Sequence, residues 1–179
     1  KKKEIKLLTG KDINIVAISA KNKNKKRKFK INKKIFYKNP FKILNDKKID
    51  ILFECIGQSD GISKKIVEKA LNDKIHVITP NKALISKHGD YLSKIAEKKK
   101  VNLEFEASVG GGIPILRTIK EGLATNKINK VYGILNGTCN YILSEMEKTK
   151  DSFKNVLKKA QSLGYAEPGN PKLDLNGYD

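Results

Sequence analysis

Glu167, Asp174 and Asp179 stand close together on Gly164-Tyr-Ala-Glu-Pro-Gly-Asn-Pro-Lys-Leu-Asp-Leu-Asn-Gly-Tyr-Asp179, in a chain with 38 Lys and Arg against 19 Asp and Glu. Three anions on one Pro/Gly-punctuated loop suit an ammonium-bearing substrate, because ionised pairs make the stronger hydrogen bonds. The segment Gly133-Ile-Leu-Asn-Gly-Thr-Cys-Asn-Tyr-Ile-Leu143 reads as a strand that turns at Asn136-Gly137 and enters a helix capped by Thr138 or a neighbour. Gly137 at that turn lets backbone approach a small ligand.

Lys82 closes a Thr79-Pro-Asn-Lys82 turn directly after an apolar run. A solvated lysine is the ordinary outcome in so basic a chain, but a turn at a strand's carboxyl end is where α/β sheets bind ligands. Gly110-Gly-Gly-Ile-Pro114 lacks the Gly-x-x-x-x-Gly-Lys-Ser/Thr spacing of a phosphate-cradling loop. Cys55 and Cys139 have no metal-ligand spacing, which implies a reducing compartment and no zinc site. Cys139 at a helix start has no histidine near it in sequence and reads as a packing residue. His76 on a strand and His88 on a helix read as structural.

The elements that carry these residues alternate. Apolar runs of buried-strand length cover 13–19, 50–55, 75–79 and 101–106. Helical spacing links Ile62, Ile66, Val67, Ala70 and Leu71, and a second helix covers 83–98. This order predicts an α/β fold with a parallel, doubly wound sheet and helices on both faces. Its ligand-binding edge comprises Ser19-Ala20, 55–59, 79–82 and 106–112. Beyond Pro114 the order becomes helix 113–125, strand 128–136 and helices 139–149 and 152–163. A second domain, of α+β type, is therefore expected over 113–179, with the first over 1–112.

A hydrophobic content of 39% suits a globular protein, and no apolar run approaches the roughly 20 residues that span a bilayer. A soluble, cytoplasmic protein without a membrane partner is expected. The net charge of +19 is lopsided: residues 1–50 hold 18 Lys and Arg against four acids. Yet Arg27 and Arg117 are the only arginines, whereas readers of nucleic acid draw on the guanidinium fork. A solvated basic surface is expected, with a non-enzymatic basic nucleic-acid-binding module as the competing class.

Asn136-Gly-Thr-Cys-Asn-Tyr-Ile142, Gly164-Tyr-Ala-Glu167 and Asp174-Leu-Asn-Gly-Tyr-Asp179 together resemble homoserine dehydrogenases in motif and spacing. Thr79-Pro-Asn-Lys-Ala-Leu84, His88-Gly89, Phe105-Glu-Ala-Ser-Val-Gly-Gly-Gly-Ile-Pro114 and Glu121-Gly-Leu-Ala124 resemble family motifs in the family order. The single-cysteine form around Cys139 is more similar to the stand-alone enzymes than to the aspartokinase fusions. The resemblance runs through almost the whole chain. It implies a Rossmann-like NAD(P)-binding domain followed by a catalytic and dimerisation domain. The implied reaction is the NAD(P)-dependent interconversion of L-aspartate 4-semialdehyde and L-homoserine, in threonine, methionine and isoleucine biosynthesis.

The resemblance also implies site residues. Lys82 lies where nicotinamide and substrate meet, as a catalytic and binding group. Glu167 holds the substrate's amino group, Asp179 shares that pocket as a catalytic acid, and Asp174 supports the loop or the ammonium. A further family lysine, the usual proton donor, falls a few residues past Asp179. Glu106 and the carbonyls of Val109, Gly111 and Ile113 surround a monovalent cation such as sodium; carbonyl oxygens suit a hard cation, though a purely structural glycine turn is the competing reading. A homodimer or homotetramer is implied.

A dinucleotide-binding sheet opens with a Gly-x-Gly-x-x-Gly turn, which nothing before Ile13 supplies. The chain thus reads as an internal segment of a longer protein, expected to lack turnover by itself. For the cofactor, Ser19-Ala-Lys-Asn-Lys-Asn-Lys-Lys-Arg27 offers neutral and basic groups where an acid would accept ribose hydroxyls. NADP is therefore expected over NAD, with Ser19, Lys21 and Arg27 as contacts and Cys55, Ile56, Gly57 and Gln58 on the nicotinamide side. A solvated loop is the alternative, as is a sensor that binds NADP without turnover.

Overall fold

The computed structural model describes residues 1–24, 26–28, 31–46, 48–166 and 171–179. They fall into two compact units, 1–51 and 52–179.

In the first unit, helix α1 (Lys2–Thr9) ends at Gly10, whose φ of 69° gives the left-handed C-cap that glycine adopts without strain. Strand β1 (Ile18–Ser19) pairs in parallel with β2 (Phe36–Tyr37), Ile18 opposite Phe36. Helix α2 (Pro40–Asp46) buries Ile43 and Leu44. Proline at its first position suits a helix start, where the missing N–H is no loss. The strand expected over 13–19 forms only at its last two residues: Ile13, Ile15 and Val16 are exposed and no backbone pairs with them among the described residues. Neither α1 nor α2 is among the helices expected from the sequence, and no residue of α1 is buried: Leu7 and Leu8 are exposed.

In the second unit, β3 (Ile51–Phe53), β4 (His76–Ile78) and β5 (Leu103–Glu104) form a sheet in that order. β4 and β5 run parallel, Val77 opposite Leu103. This α/β arrangement of parallel strands and helical connections is the expected class. Helix α3 (Ile62–Asn72) buries Ile66, Val67, Ala70 and Leu71, the spacing that predicted it. Helix α4 (Lys82–Lys99) packs on α3 and buries Ala83, Leu84, Leu92 and Ala96. Leu71, Leu84 and Leu92 are fully buried, each contributing about 1.5–3 kcal/mol relative to exposure.

Toward the C-terminus, α5 (Ile115–Arg117) leads into a wide π-type turn over Thr118–Gly122, closed by Leu123 N–H donating to the Thr118 carbonyl at 3.0 Å. The helix expected over 113–125 is therefore short and distorted. Helix α6 (Gly137–Thr149), α7 (Phe153–Ser162) and α8 (Lys172–Leu175) follow. Ile142, Val156, Ala160 and Ala166 form their core, flanked by Tyr141, Met146 and Leu157. Tyr141 stacks on Tyr165 with ring centroids 4.5 Å apart. The strand expected over 128–136 is absent: that segment has no regular structure, and Val131, Tyr132, Ile134 and Leu135 are exposed. Alternating β-branched residues report fit to a pleated surface, and here no described strand supplies one.

Candidate active site

The site begins at the carboxyl end of β4. Thr79 is fully buried and its hydroxyl oxygen accepts from Asn81 N–H at 3.0 Å, tightening the Thr-Pro-Asn turn. Asn81 then caps α4, its side chain accepting from Leu84 N–H at 3.1 Å. That cap makes Lys82 the first residue of α4. Its ammonium donates to Asp174 Oδ1 and to Asp179 Oδ2, each at 3.2 Å.

Both carboxylates are more enclosed than the lysine: side-chain exposure is 15% for Asp174 and 11% for Asp179, against 23% for Lys82. Burial pushes the Lys82 ammonium toward neutrality, but hydrogen bonds to Asp174 and Asp179 and the attraction of their charges outweigh it. The ammonium is held above the ordinary lysine value.

Asn136 ties the C-terminal loop to α6. Its Nδ2 donates to Asp179 Oδ2 at 2.6 Å, while its Oδ1 accepts from Cys139 N–H at 2.8 Å as the helix cap. Asn136, rather than Thr138, is thus the N-cap; the Thr138 hydroxyl donates instead to the Tyr165 carbonyl. Cys139 Sγ donates to the Asp174 carbonyl at 3.4 Å, a packing contact that holds the acidic loop. Gly137 has open space where a side chain would begin, and it lies in α6 rather than in a left-handed turn.

Glu167 lies outside the described residues. Cys55, Ile56, Gly57 and Gln58 form an exposed loop after β3, with Gly57 at φ 86°. The Gln58 carbonyl accepts from Asn81 Nδ2 at 2.8 Å, so this loop touches the turn that carries Lys82. Burial, and then the Glu54 charge, push the Cys55 thiol up, away from the thiolate form.

In the first unit, Ser19 ends β1, and an open cleft of about 710 Å³ is lined by Ala20, Lys21, Asn22, Lys23, Phe36 and Lys38. The Arg27 guanidinium donates to the carbonyls of Asn22 at 2.8 Å and Lys23 at 3.3 Å, which ties down the loop behind those lysines.

Glu106 opens a 3₁₀ turn, Glu106–Ser108. One of its carboxylate oxygens, Oε1, is buried without a hydrogen-bond partner. The following chain turns back through Gly110 and Gly112, both at positive φ, with the Gly110 carbonyl accepting from Ile113 N–H at 2.9 Å and the Ile113 carbonyl from Ile115 N–H at 2.8 Å. Val109 and Gly111 lie on the same turn. Among the described residues no three His, Cys, Asp or Glu are grouped to hold a metal. A hard cation taking carbonyls plus one carboxylate needs no such group, and an orphaned buried carboxylate oxygen fits it.

Two residues of this site escape a sequence reading. Asn136 reads only as a turn residue, whereas it links Asp179 to α6. Glu54 reads as part of an apolar strand run; it is 2% exposed and its carboxylate accepts from Ile56 N–H, Ser63 Oγ, Thr79 Oγ1 and Asn81 Nδ2. The available signal was a lone carboxylate in an apolar run, since such a group is seldom buried without partners.

The family model for the homoserine dehydrogenase NAD binding domain matches residues 2–106, and that for homoserine dehydrogenase matches 114–179. The homoserine dehydrogenase of Neisseria gonorrhoeae is 42% identical over 98% of this chain, and that of Bacillus subtilis 40% identical over 93%. The crystal structure of the Thiobacillus denitrificans homoserine dehydrogenase superposes with a TM-score of 0.80 at 38% identity, covering 97% of this chain and 39% of that one. The chain spans about 40% of the length of the curated relatives it matches. Two family models matching in series, over a turn that sets Lys82 against Asp174 and Asp179, lead to one conclusion: the chain belongs to the homoserine dehydrogenase family.

Proposed function

We propose that the protein interconverts L-aspartate 4-semialdehyde and L-homoserine by hydride transfer with NADP, NAD being the alternative cofactor. The observation that carries this is the Lys82 ammonium, fixed at the start of α4 and paired with Asp174 and Asp179 in a chain of this family. When bound, the nicotinamide cofactor supplies or accepts the hydride at the carbonyl carbon. As the carbonyl becomes an alkoxide, charge grows on its oxygen, and a positioned ammonium lowers the barrier by stabilising that charge. Lys82 is the cation for that role. Its pairing with two carboxylates keeps it protonated and aimed.

Asp174, Asp179 and Glu167 bind the substrate's ammonium end, Asp179 also orienting Lys82. The Cys55–Gln58 loop lines the nicotinamide side. Lys21, with Lys23 and Lys38 in the same cleft, takes the phosphate that distinguishes NADP, beside Ser19; Arg27 orders the loop. Glu106 with the carbonyls of Val109, Gly111 and Ile113 would hold a monovalent cation such as sodium, supported by the unpartnered Glu106 Oε1. The nucleotide domain ends near 112 and the catalytic domain begins at 113, as the extents of the two family matches suggest. A cytoplasmic homodimer or homotetramer serving threonine, methionine and isoleucine synthesis completes the proposal, with no nucleic-acid or membrane partner; no helix among the described residues is long and apolar enough to cross a membrane. Semialdehyde-dependent oxidation of NADPH by the complete protein tests the reaction. Absence of such oxidation in a folded protein would overturn it.

A further inference from the structure

Glu54 is the one fully buried carboxylate of the described residues, and the hydride-transfer scheme leaves it without a task. It follows β3, and its backbone N–H donates to the Ile78 carbonyl of β4 at 2.9 Å. Four neutral donors fill its carboxylate. Oε1 accepts from Ile56 N–H at 2.7 Å and Ser63 Oγ at 3.1 Å; Oε2 accepts from Thr79 Oγ1 at 2.6 Å and Asn81 Nδ2 at 3.3 Å. With about two acceptor sites on each oxygen, the group is saturated.

The donors come from three segments: the 55–58 loop, the first turn of α3 and the turn before Lys82. Asn81 sits at the junction. While bonded to Glu54, its amide also reaches the Gln58 carbonyl at 2.8 Å, and its oxygen caps α4 one residue before Lys82. A buried ionised carboxylate is costly to retain where a neutral amide of the same shape would fill the space. Only the carboxylate accepts at both oxygens, however. A glutamine would present an NH₂ group to one pair of donors.

We infer that Glu54 is a positioning residue for the hydride-transfer reaction: its carboxylate locks the Lys82 turn to the Cys55–Gln58 loop, fixing the lysine relative to the nicotinamide side. The role rests on the reaction proposed above and acts through Asn81. Oε1 anchors the 55–58 loop and α3, and Oε2 anchors the Lys82 turn, so the donors on the two oxygens can be varied separately.

The test uses steady-state kinetics and thermal melts of the complete protein as wild type, Glu54→Gln, Thr79→Val, Ser63→Ala, Lys82→Ala and the Glu54→Gln/Lys82→Ala double variant. Ser63→Ala removes one donor to Oε1, whereas Thr79→Val removes one donor to Oε2 and also the acceptor of Asn81 N–H, so Thr79→Val is expected to lower the melting temperature more. Thr79→Val and Glu54→Gln lower kcat about 10-fold or more with the semialdehyde KM within about 2-fold, whereas Ser63→Ala leaves kcat near wild type. In the Lys82→Ala background Glu54→Gln costs less than about 2-fold further, since it acts through that lysine. If Glu54→Gln leaves kcat within about 2-fold of wild type, or the double variant loses the full product of both effects, Glu54 is merely structural and the inference is overturned. Should Glu54→Gln fail to fold, Glu54→Asp, which keeps the charge but is too short to hold all four donors, takes its place in the single and double variants. A folded wild type without turnover overturns the reaction and this role with it; an active wild type whose kcat survives Thr79→Val overturns the role only.

Discussion

Lys82 Nζ lies 3.2 Å from Oδ2 of Asp179, a residue 97 positions further along the chain, and the same oxygen accepts from Asn136 Nδ2 at 2.6 Å. One carboxylate oxygen thus joins the start of α4 to the start of α6. Removing the cation from this arrangement should cost catalysis more than folding. Lys82→Ala in the complete protein is expected to lower kcat about 10²–10³-fold, the usual loss when a group that stabilises developing oxyanion charge is deleted. Turnover within 3-fold or so of wild type, measured by NADPH oxidation, would remove Lys82 from the chemistry.

The same contact gives the protein's alkaline behaviour a direction. Hydrogen bonds to Asp174 and Asp179 outweigh burial and raise the Lys82 ammonium above its ordinary value. A value higher in the folded than in the unfolded chain means that stability from the pairing is complete below the unfolded lysine value, near 10.5, and is lost as pH rises through the folded one. Asp179→Asn removes one of the two partners. The alkaline limb of kcat against pH should therefore move to lower pH in that variant, and an unmoved limb would mean that another group sets it.

Asn136 separates a structural from an electrostatic contribution. Asn136→Ala loses the α6 cap, costing about 1 kcal/mol by denaturant unfolding. Asn136→Asp keeps a capping oxygen but sets a second carboxylate against Asp179, so it should retain most of the cap's stability while lowering activity. An activity loss in Asn136→Ala alone, with Asn136→Asp near wild type, would show that only the cap matters.

The turn at Thr79-Pro-Asn-Lys82 was legible because its evidence is local: an apolar run, then a proline and an asparagine ahead of a helix; that Asn81 caps this helix was not read. The acidic loop was legible from charge density, and the helices at 62–72 and 82–99 from periodicity. What pairs across long distances was not. Glu54 meets Thr79 and Asn81 from 25 and 27 positions away, and nothing in its own neighbourhood announces those donors. The absent strand at 128–136 fails for the reverse reason: Val131 to Leu135 alternate suitably, but a strand exists only with a partner. Helix α1 escaped because its 8 residues are fewer than the roughly 11–18 over which a helical period can be read.

Cofactor choice should follow the lysines of the basic cleft. Lys21 and Lys38 line it together with Lys23. Lys21→Glu and Lys38→Glu are expected to raise the KM for NADPH about 10-fold or more while changing that for NADH little, because charge reversal repels the extra phosphate and leaves the rest of the nucleotide untouched. A lower KM for NAD than for NADP in the wild type, or equal effects on both cofactors, would overturn the assignment of this cleft.

The Glu106 turn supplies a prediction that does not depend on turnover. An ionised oxygen buried without a donor is costly, and a bound monovalent cation would offset that cost by binding the folded state alone. Raising sodium at constant ionic strength, balanced with a bulky organic cation, should then increase the melting temperature of the complete protein. Glu106→Gln removes the charge, so it should abolish most of the sodium dependence. Its melting temperature without sodium should equal or exceed that of the wild type, because the amide leaves no uncompensated charge behind. A melting temperature indifferent to sodium in the wild type would instead make Gly110 to Ile113 a structural turn.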